Sequence, residues 1–398
     1  MNCLIRKEGT PTHFINQFQG LFQLQKEMTI YKLFSNCIPV KGYSRSIILD
    51  LQRQSYFLIP NTLIDLFEDD LLVINEKNEY SDTEKNIINE YISFLLENDL
   101  VFMTNKNELE LFPKLNLDWN YPSTITNAVF DIKDNDLDWH NILTGLKELQ
   151  CYHIQIRYFS PVSIEKIKEI CNIMFSSLVF SIDIILPYNL IYKNKEWIEL
   201  MENYPKISKI IFYNSNSDEV VHIDNKGFSA IYCIRTNCNS DLHCGIIHPG
   251  YFSINIPTFT ESQMYNTCLN RKIGIDVDGN IKNCPSCNQT FGNINEISLL
   301  EAIQKQGFKQ YWNITKDQID VCKDCEFRHI CIDCRAFIKD PENKYSQPLK
   351  CNFNPYISKW SNEHGYVPIE ECGTYSKEDG FIPEKNKIST LNNIIWPD

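Results

Sequence analysis

From Met28 onward, short apolar runs alternate with polar punctuation. IYKLFSNCIPV, SRSIILDL and SYFLIP, with a polar QRQ before the last, read as strands of a small meander. Asn61 is placed to cap a short helix running to Phe67. Ser81 and Glu84 spell a capping box, and behind it Ile87, Ile88, Tyr91, Ile92, Leu95 and Leu96 hold one apolar face at helical spacing. VFMT and LELF, on either side of a KNE turn, predict a closing hairpin. Residues 1–27 keep no period and predict a flexible extension, with Met28 as an alternative start.

Past Pro122 the rhythm changes. TNAVFDI, HIQIRYF, LVFSIDIIL, KIIFY and FSAIYCI are short apolar runs, separated by amphipathic stretches such as WHNILTGLKELQ and SIEKIKEICNIMF. Strand and helix units in alternation predict an α/β segment with a largely parallel sheet, either half of a full barrel or a small open sheet. The fold class expected for the whole chain is α+β and multi-domain, because 398 residues exceed one compact core of ordinary size.

Charge and hydropathy narrow the partners. A formal net charge of -13 repels a phosphate backbone, so nucleic acid is not expected as a main partner. No stretch of eighteen apolar residues predicts a membrane span, and the first residues lack the apolar core of a signal peptide. The expected compartment is cytoplasmic, where thiols stay reduced.

Against that background the sixteen cysteines change the picture. Cys268 is followed by Gly279 and Cys284, then by Cys322, Cys325, Cys331 and Cys334, and finally by Cys351. Thiolates so dense need a soft cation, and reduced cysteines grouped this way read as metal ligands. Cys322, Cys325 and Cys331 are close enough for one loop to wrap a cluster, with Cys351 folding back as fourth donor. Zinc is the rival occupant, since four thiolates close a tetrahedral site. The short gap between Cys325 and Cys331 favours iron and sulfide over a zinc ribbon. Cys3, Cys37, Cys151, Cys171 and Cys233 read as packing residues, Cys372 as a free thiol, and His329 as a structural histidine. No G-x-S-x-G, P-loop or G-x-G-x-x-G is present, which leaves hydrolase, kinase and dinucleotide readings without support.

The spacing C-x10-G-x4-C, C-x2-C-x5-C-x2-C and a distal cysteine resembles the SPASM domain, departing only between Cys331 and Cys334, where the family has three intervening residues. The resemblance implies two cysteine-held sites: Cys322, Cys325, Cys331 and Cys351 in one, and Cys268, Cys284 and Cys334 in the other. Cys244 is the first choice for the missing ligand, Cys238 and Cys287 are reserves, and an open iron is the further alternative. One or two 4Fe-4S clusters are expected, with zinc as the alternative. The preceding α/β segment then resembles a radical SAM barrel. It lacks the C-x3-C-x2-C loop, since no two cysteines are four positions apart, and it lacks a Gly-Gly pair. A degenerate, partial barrel that does not cleave S-adenosylmethionine is expected.

Residues 28–112 resemble the winged-helix, PqqD-like recognition element of peptide-modifying systems, which implies peptide binding by strand addition at Tyr56, Leu58, Tyr91 and Leu95. An ordinary winged helix packed on its own chain is the alternative. LFSNCIPVKGYSRSIILDLQRQSYFLIPN, CLNRKIGIDVDGNIKNCPS and QYWNITKDQIDVCKDCEFRHICIDCRAF together resemble the SPASM-domain peptide maturases of grasp-with-spasm systems. That likeness implies a precursor peptide and an ATP-grasp peptide ligase as partners, and leaves open whether the protein is itself an enzyme or a zinc-stapled adaptor. The expected domains are a winged-helix-like domain over 28–115, the degenerate α/β segment over 116–255, the cysteine-rich SPASM domain over 256–360, and a tail over 361–398.

Overall fold

The computed structural model describes residues 29–74, 80–134, 136–189, 194–223 and 229–396, so the extension expected over 1–27 lies outside the described residues. The run IYKLFSNCIPV is broken by a turn at Ser35–Asn36 into β1 (Thr29–Leu33) and β2 (Cys37–Lys41). Strands β3 (Ser46–Asp50) and β4 (Ser55–Ile59) follow, then a single helical turn α1 (Asn61–Ile64), β5 (Phe67–Glu68), β6 (Leu71–Ile74), α2 (Asp82–Glu97) and β7 (Val101–Thr104).

Two local expectations fail. Asn61 does not cap a helix to Phe67. Its amide donates to the Tyr43 carbonyl at 2.9 Å and its Oδ1 accepts from the Ser46 hydroxyl at 2.5 Å, so it staples the β2–β3 turn while Phe67 joins a strand. LELF forms a 3-10 turn, Leu109–Leu111, instead of a strand, and β7 pairs with β1.

The chain divides into two compact units: Met1–Ser35 with Asp65–Lys114, and Asn36–Ile64 with Leu115–Asp398. The first is an antiparallel sheet in the order β5-β6-β1-β7 with α2. The capping box forms, with the Glu84 N–H donating to Ser81 Oγ at 3.3 Å and the Ser81 N–H to the Glu84 carboxylate at 2.8 Å. Of the apolar helix face, Ile88 and Leu95 are buried whereas Ile87 and Leu96 are exposed.

The meander β2–β3–β4, placed by sequence in the winged-helix-like domain, belongs to the second unit. Its apolar face (Val40, Ile47, Leu49, Leu51) packs with Phe259, Phe327, Ile330 and Phe353, far downstream in the chain. Burial of that face decides its allegiance, and sequence proximity does not.

The second unit continues with β8 (Asn127–Ile132), α3 (Trp139–Glu148), β9 (His153–Tyr158), α4 (Ile164–Met174), β10 (Ser181–Pro187), α5 (Asn194–Asn203), β11 (Ile207–Tyr213), β12 (Glu219–His222) and β13 (Ala230–Cys233). Then come α6 (Ile256–Met264), β14 (Lys272–Ile275), β15 (Ile281–Lys282), α7 (Leu299–Gln304) and α8 (Lys385–Ile395). One open, mixed sheet runs β12-β13-β11-β10-β9-β8-β14-β15, parallel from β13 to β14 with an antiparallel strand at each edge. The sheet crosses the boundary expected at 255, because β14 pairs with β8.

Strand alternation sorts this sheet into two faces. Phe130, Ile156, Ile184 and Ile210 enter a core shared with Ile142, Ile167, Trp197 and Leu299 of the helices. Cys151, Cys171 and Cys233 lie in that core as packing residues. Asp131 and Arg157, register partners near the carboxyl ends of β8 and β9, alternate onto the other face. The segment expected as a tail is folded: the hairpin Gly373–Ser376/Gly380–Pro383 and α8 pack Phe381 and Ile388 with Val321, Tyr356 and Cys372.

Phe130 is buried and meets Trp139 edge-on at 5.2 Å between ring centres. Phe130→Ala is expected to cost about 3–5 kcal/mol in chemical denaturation; a loss below about 1 kcal/mol would contradict this core.

Candidate metal centres

Hairpin β14–β15 positions the first sulfur set. Its turn is closed by the Gly279 N–H on the Asp276 carbonyl at 2.9 Å, with Gly279 at φ 80°, where a Cβ is strained. This explains the motif glycine: it reverses the chain so that Cys268 and Cys284, flanking the hairpin, come together. The buried Asn266 accepts from the Cys268 and Leu269 N–H groups at 3.0 and 2.8 Å and donates to Asp333 at 2.6 Å. Thr267 in turn donates to the Cys331 carbonyl at 3.3 Å. These bonds lash the Cys268 loop to the Cys331–Cys334 segment. Cys268, Cys284 and Cys287 share a small cluster with Leu269, and Cys334 is felt electrostatically by Cys268 and by Cys287.

The second set is gathered by a strained turn. Val321 sits at φ 67°, ψ −42°, and the Cys322 N–H reaches back to the Asp320 carbonyl at 2.7 Å, a γ-turn of the left-handed kind. A β-branched residue there costs about 1–3 kcal/mol. Cys322, Cys325, Cys331 and Cys351 line a single cavity with Lys316, Phe252, Phe327, Phe353 and Trp360. The Phe327 N–H also donates to Cys325 Sγ at 3.4 Å.

Burial dominates the electrostatics of both sets. It pushes the thiols of Cys268 and Cys322 up to about 12 and raises those of Cys325, Cys331 and Cys334. One lysine opposes it in each set. Lys272 Nζ lies 3.4 Å from Cys268 Sγ, and the buried Lys316 Nζ lies 4.0 Å from Cys322 Sγ. Burial alone would lower both amines, yet the surrounding sulfurs hold them above their ordinary value.

Cys322, Cys325, Cys331 and Cys351 around one cavity supply the four thiolates that an iron-sulfur cluster takes, which is also the number a structural zinc takes.

Of the reserve ligands, Cys287 lies with the first set, whereas Cys238 packs with Ile185 and Tyr213 on the sheet's second face. Cys244 Sγ accepts from Arg157 Nη1 at 2.7 Å. Buried His329 has its Nδ1 3.3 Å from the Ser262 hydroxyl, and burial pushes it down to about 4. Buried Cys372 accepts from Asn354 at 3.3 Å.

The expected peptide-binding residues fare unequally. Tyr56 packs edge-on against Phe327, at 5.5 Å between ring centres, so it supports the second sulfur set. Leu58, 49 % exposed on the outer strand β4, borders a groove of about 670 Å³ with Arg45, Asn392 and Trp396. Tyr91 is half-buried, and Leu95 is fully buried on α2, so the Leu95 side chain has no surface to offer a peptide.

Sequence reasoning missed the meander's role here. Arg45 donates to the fully buried Glu326 at 2.9 and 3.1 Å, the Tyr43 N–H donates to the Asp324 carbonyl at 2.8 Å, and Arg328 bridges the carbonyls of Lys41 and Cys325 at 2.7 and 2.9 Å. No local signal in residues 37–59 points to that distant loop.

Comparison with known proteins matches residues 267–326 to SPASM, an iron-sulfur cluster-binding domain. The match includes Cys268, Cys284, Cys322 and Cys325 of the expected ligands; Cys331, Cys334 and Cys351 follow it. No curated protein matches the chain. Among the described residues no helix is long and apolar enough to cross a membrane. The chain therefore carries an iron-sulfur cluster-binding SPASM domain.

Arg45→Met removes the partner of a fully buried carboxylate. A loss of about 3–5 kcal/mol is expected, read by chemical denaturation and accompanied by faster release of any bound iron; unchanged stability would show that the meander does not brace the Cys325 loop.

Proposed function

We propose that the protein is an iron-sulfur factor in the maturation of a ribosomally made peptide, binding the precursor and acting with an ATP-grasp peptide ligase. The observation that carries the iron-sulfur part is the convergence of Cys322, Cys325, Cys331 and Cys351 on one apolar cavity, inside a chain that matches the SPASM domain. The peptide and ligase part is supported by the resemblance of residues 28–360 to grasp-with-spasm maturases and by the exposed outer strand β4. An extended peptide laid along such a strand gains main-chain hydrogen bonds, with side-chain pockets giving selectivity.

A bound cluster supplies one-electron chemistry or a rigid mineral core, its properties set by surrounding charge and hydrogen bonds. Lys272 and Lys316 offset the negative charge of the sulfurs, the Phe327 N–H donates to Cys325, and Phe252, Phe327, Phe353 and Trp360 keep water from the second set. In this reading the ligase forms the bond and this chain presents the peptide.

Purified without oxygen, the protein is expected to hold about four irons and four sulfides per filled set, and Cys325→Ala to remove one set. Zinc in place of iron and sulfide would replace this reading with that of a zinc-stapled adaptor. Leu58→Asp is expected to weaken precursor binding at least about tenfold in calorimetry without changing iron content; unaltered affinity would remove β4 as the docking strand.

A further inference from the structure

We infer that Cys287 is the fourth ligand of the first sulfur set and that Cys244 is held out of it by Arg157. This deepens the iron-sulfur reading and rests on it. Cys284, Pro285, Ser286 and Cys287 form a β-turn, closed by the Cys287 N–H on the Cys284 carbonyl at 2.9 Å. The turn brings two ligands of one set onto a single short loop. It is seated against β14 at Gly274, where an added Cβ would lie only 2.2 Å from Pro285 Cδ. Both cysteines are buried and share a cluster with Leu269 and Cys268.

Cys244 is engaged elsewhere. Arg157 is buried, gripped by both oxygens of Asp131 at 2.5 and 2.7 Å, and its remaining nitrogen donates to Cys244 Sγ at 2.7 Å. The Lys350 amine fixes the Cys244 carbonyl at 2.6 Å, and the Ser286 hydroxyl donates to the Asp241 carbonyl at 3.3 Å. To ligate, Cys244 would have to abandon a buried guanidinium. With Cys287 as donor, both sets own four thiolates and neither keeps an open iron for a substrate.

The test uses the full chain reconstituted anaerobically with iron and sulfide. Cys244→Ser is expected to keep the wild-type iron content and low-temperature electron paramagnetic resonance spectrum. Cys287→Ser is expected to lose up to about half of the iron or to change the spectrum of one cluster only. Retention of iron and spectrum by Cys287→Ser, or loss by Cys244→Ser, overturns the assignment. Should Cys287→Ser fail to fold, alkylation mapping of the loaded wild-type protein decides: Cys287 is expected to be protected until iron is chelated, and labelling of Cys287 in the loaded protein overturns the assignment. Wild-type protein that takes up no iron at all would instead sink the iron-sulfur reading beneath it.

Discussion

Sulfur taken out of water is the constraint around which the second unit is organised. A thiol buried among other thiols resists ionisation, as the upward shifts of Cys268 and Cys322 show. A soft cation reverses the balance, because ligation and deprotonation occur together. Until then the sets are held by contacts of the protein's own: Asn266 bridging to Asp333, the γ-turn at Val321, and the aromatic wall around Phe327. One lysine per set supplies positive charge without competing for a sulfur's place.

The two sets are interlocked. The short stretch from Cys331 to Cys334 serves both, with Cys331 facing the cavity of Cys322 and Cys325, and Cys334 facing Cys268 and Cys284. Between them the buried Asp333 takes the Asn266 amide and pairs with the buried Arg335 at 2.7 Å. A displacement of this stretch is felt at both centres, since it has no slack on either side.

Periodicity made the helices and strands around the large sheet readable, because each buries one regular face: β8 to β11 and α3 and α4 appear where the apolar runs stand. The capping box at Ser81 was equally plain, being local chemistry. What escaped was non-local. The edge strand Glu219–His222 buries none of its residues, and the meander's partners lie nearly three hundred positions downstream. LELF had the composition of a strand but closes as a 3-10 turn. For the sulfur ligands, spacing pointed to the seven positions of the motif, and Cys244 stood ahead of Cys287 for the remaining one. The placement of Arg157 and of the Cys284–Cys287 turn is what reverses that order in our inference.

Strand β14 zips onto β8, laid down far earlier in the chain, and thereby makes the hairpin that presents Cys268 and Cys284 part of the parallel sheet. Pairings between such remote segments form slowly, since the intervening loop must first be closed. The first sulfur set therefore comes together only as the sheet assembles. Cutting the cysteine-rich region free would expose β14 as a raw, sticky margin, so sulfur set and α/β scaffold travel as one inheritance.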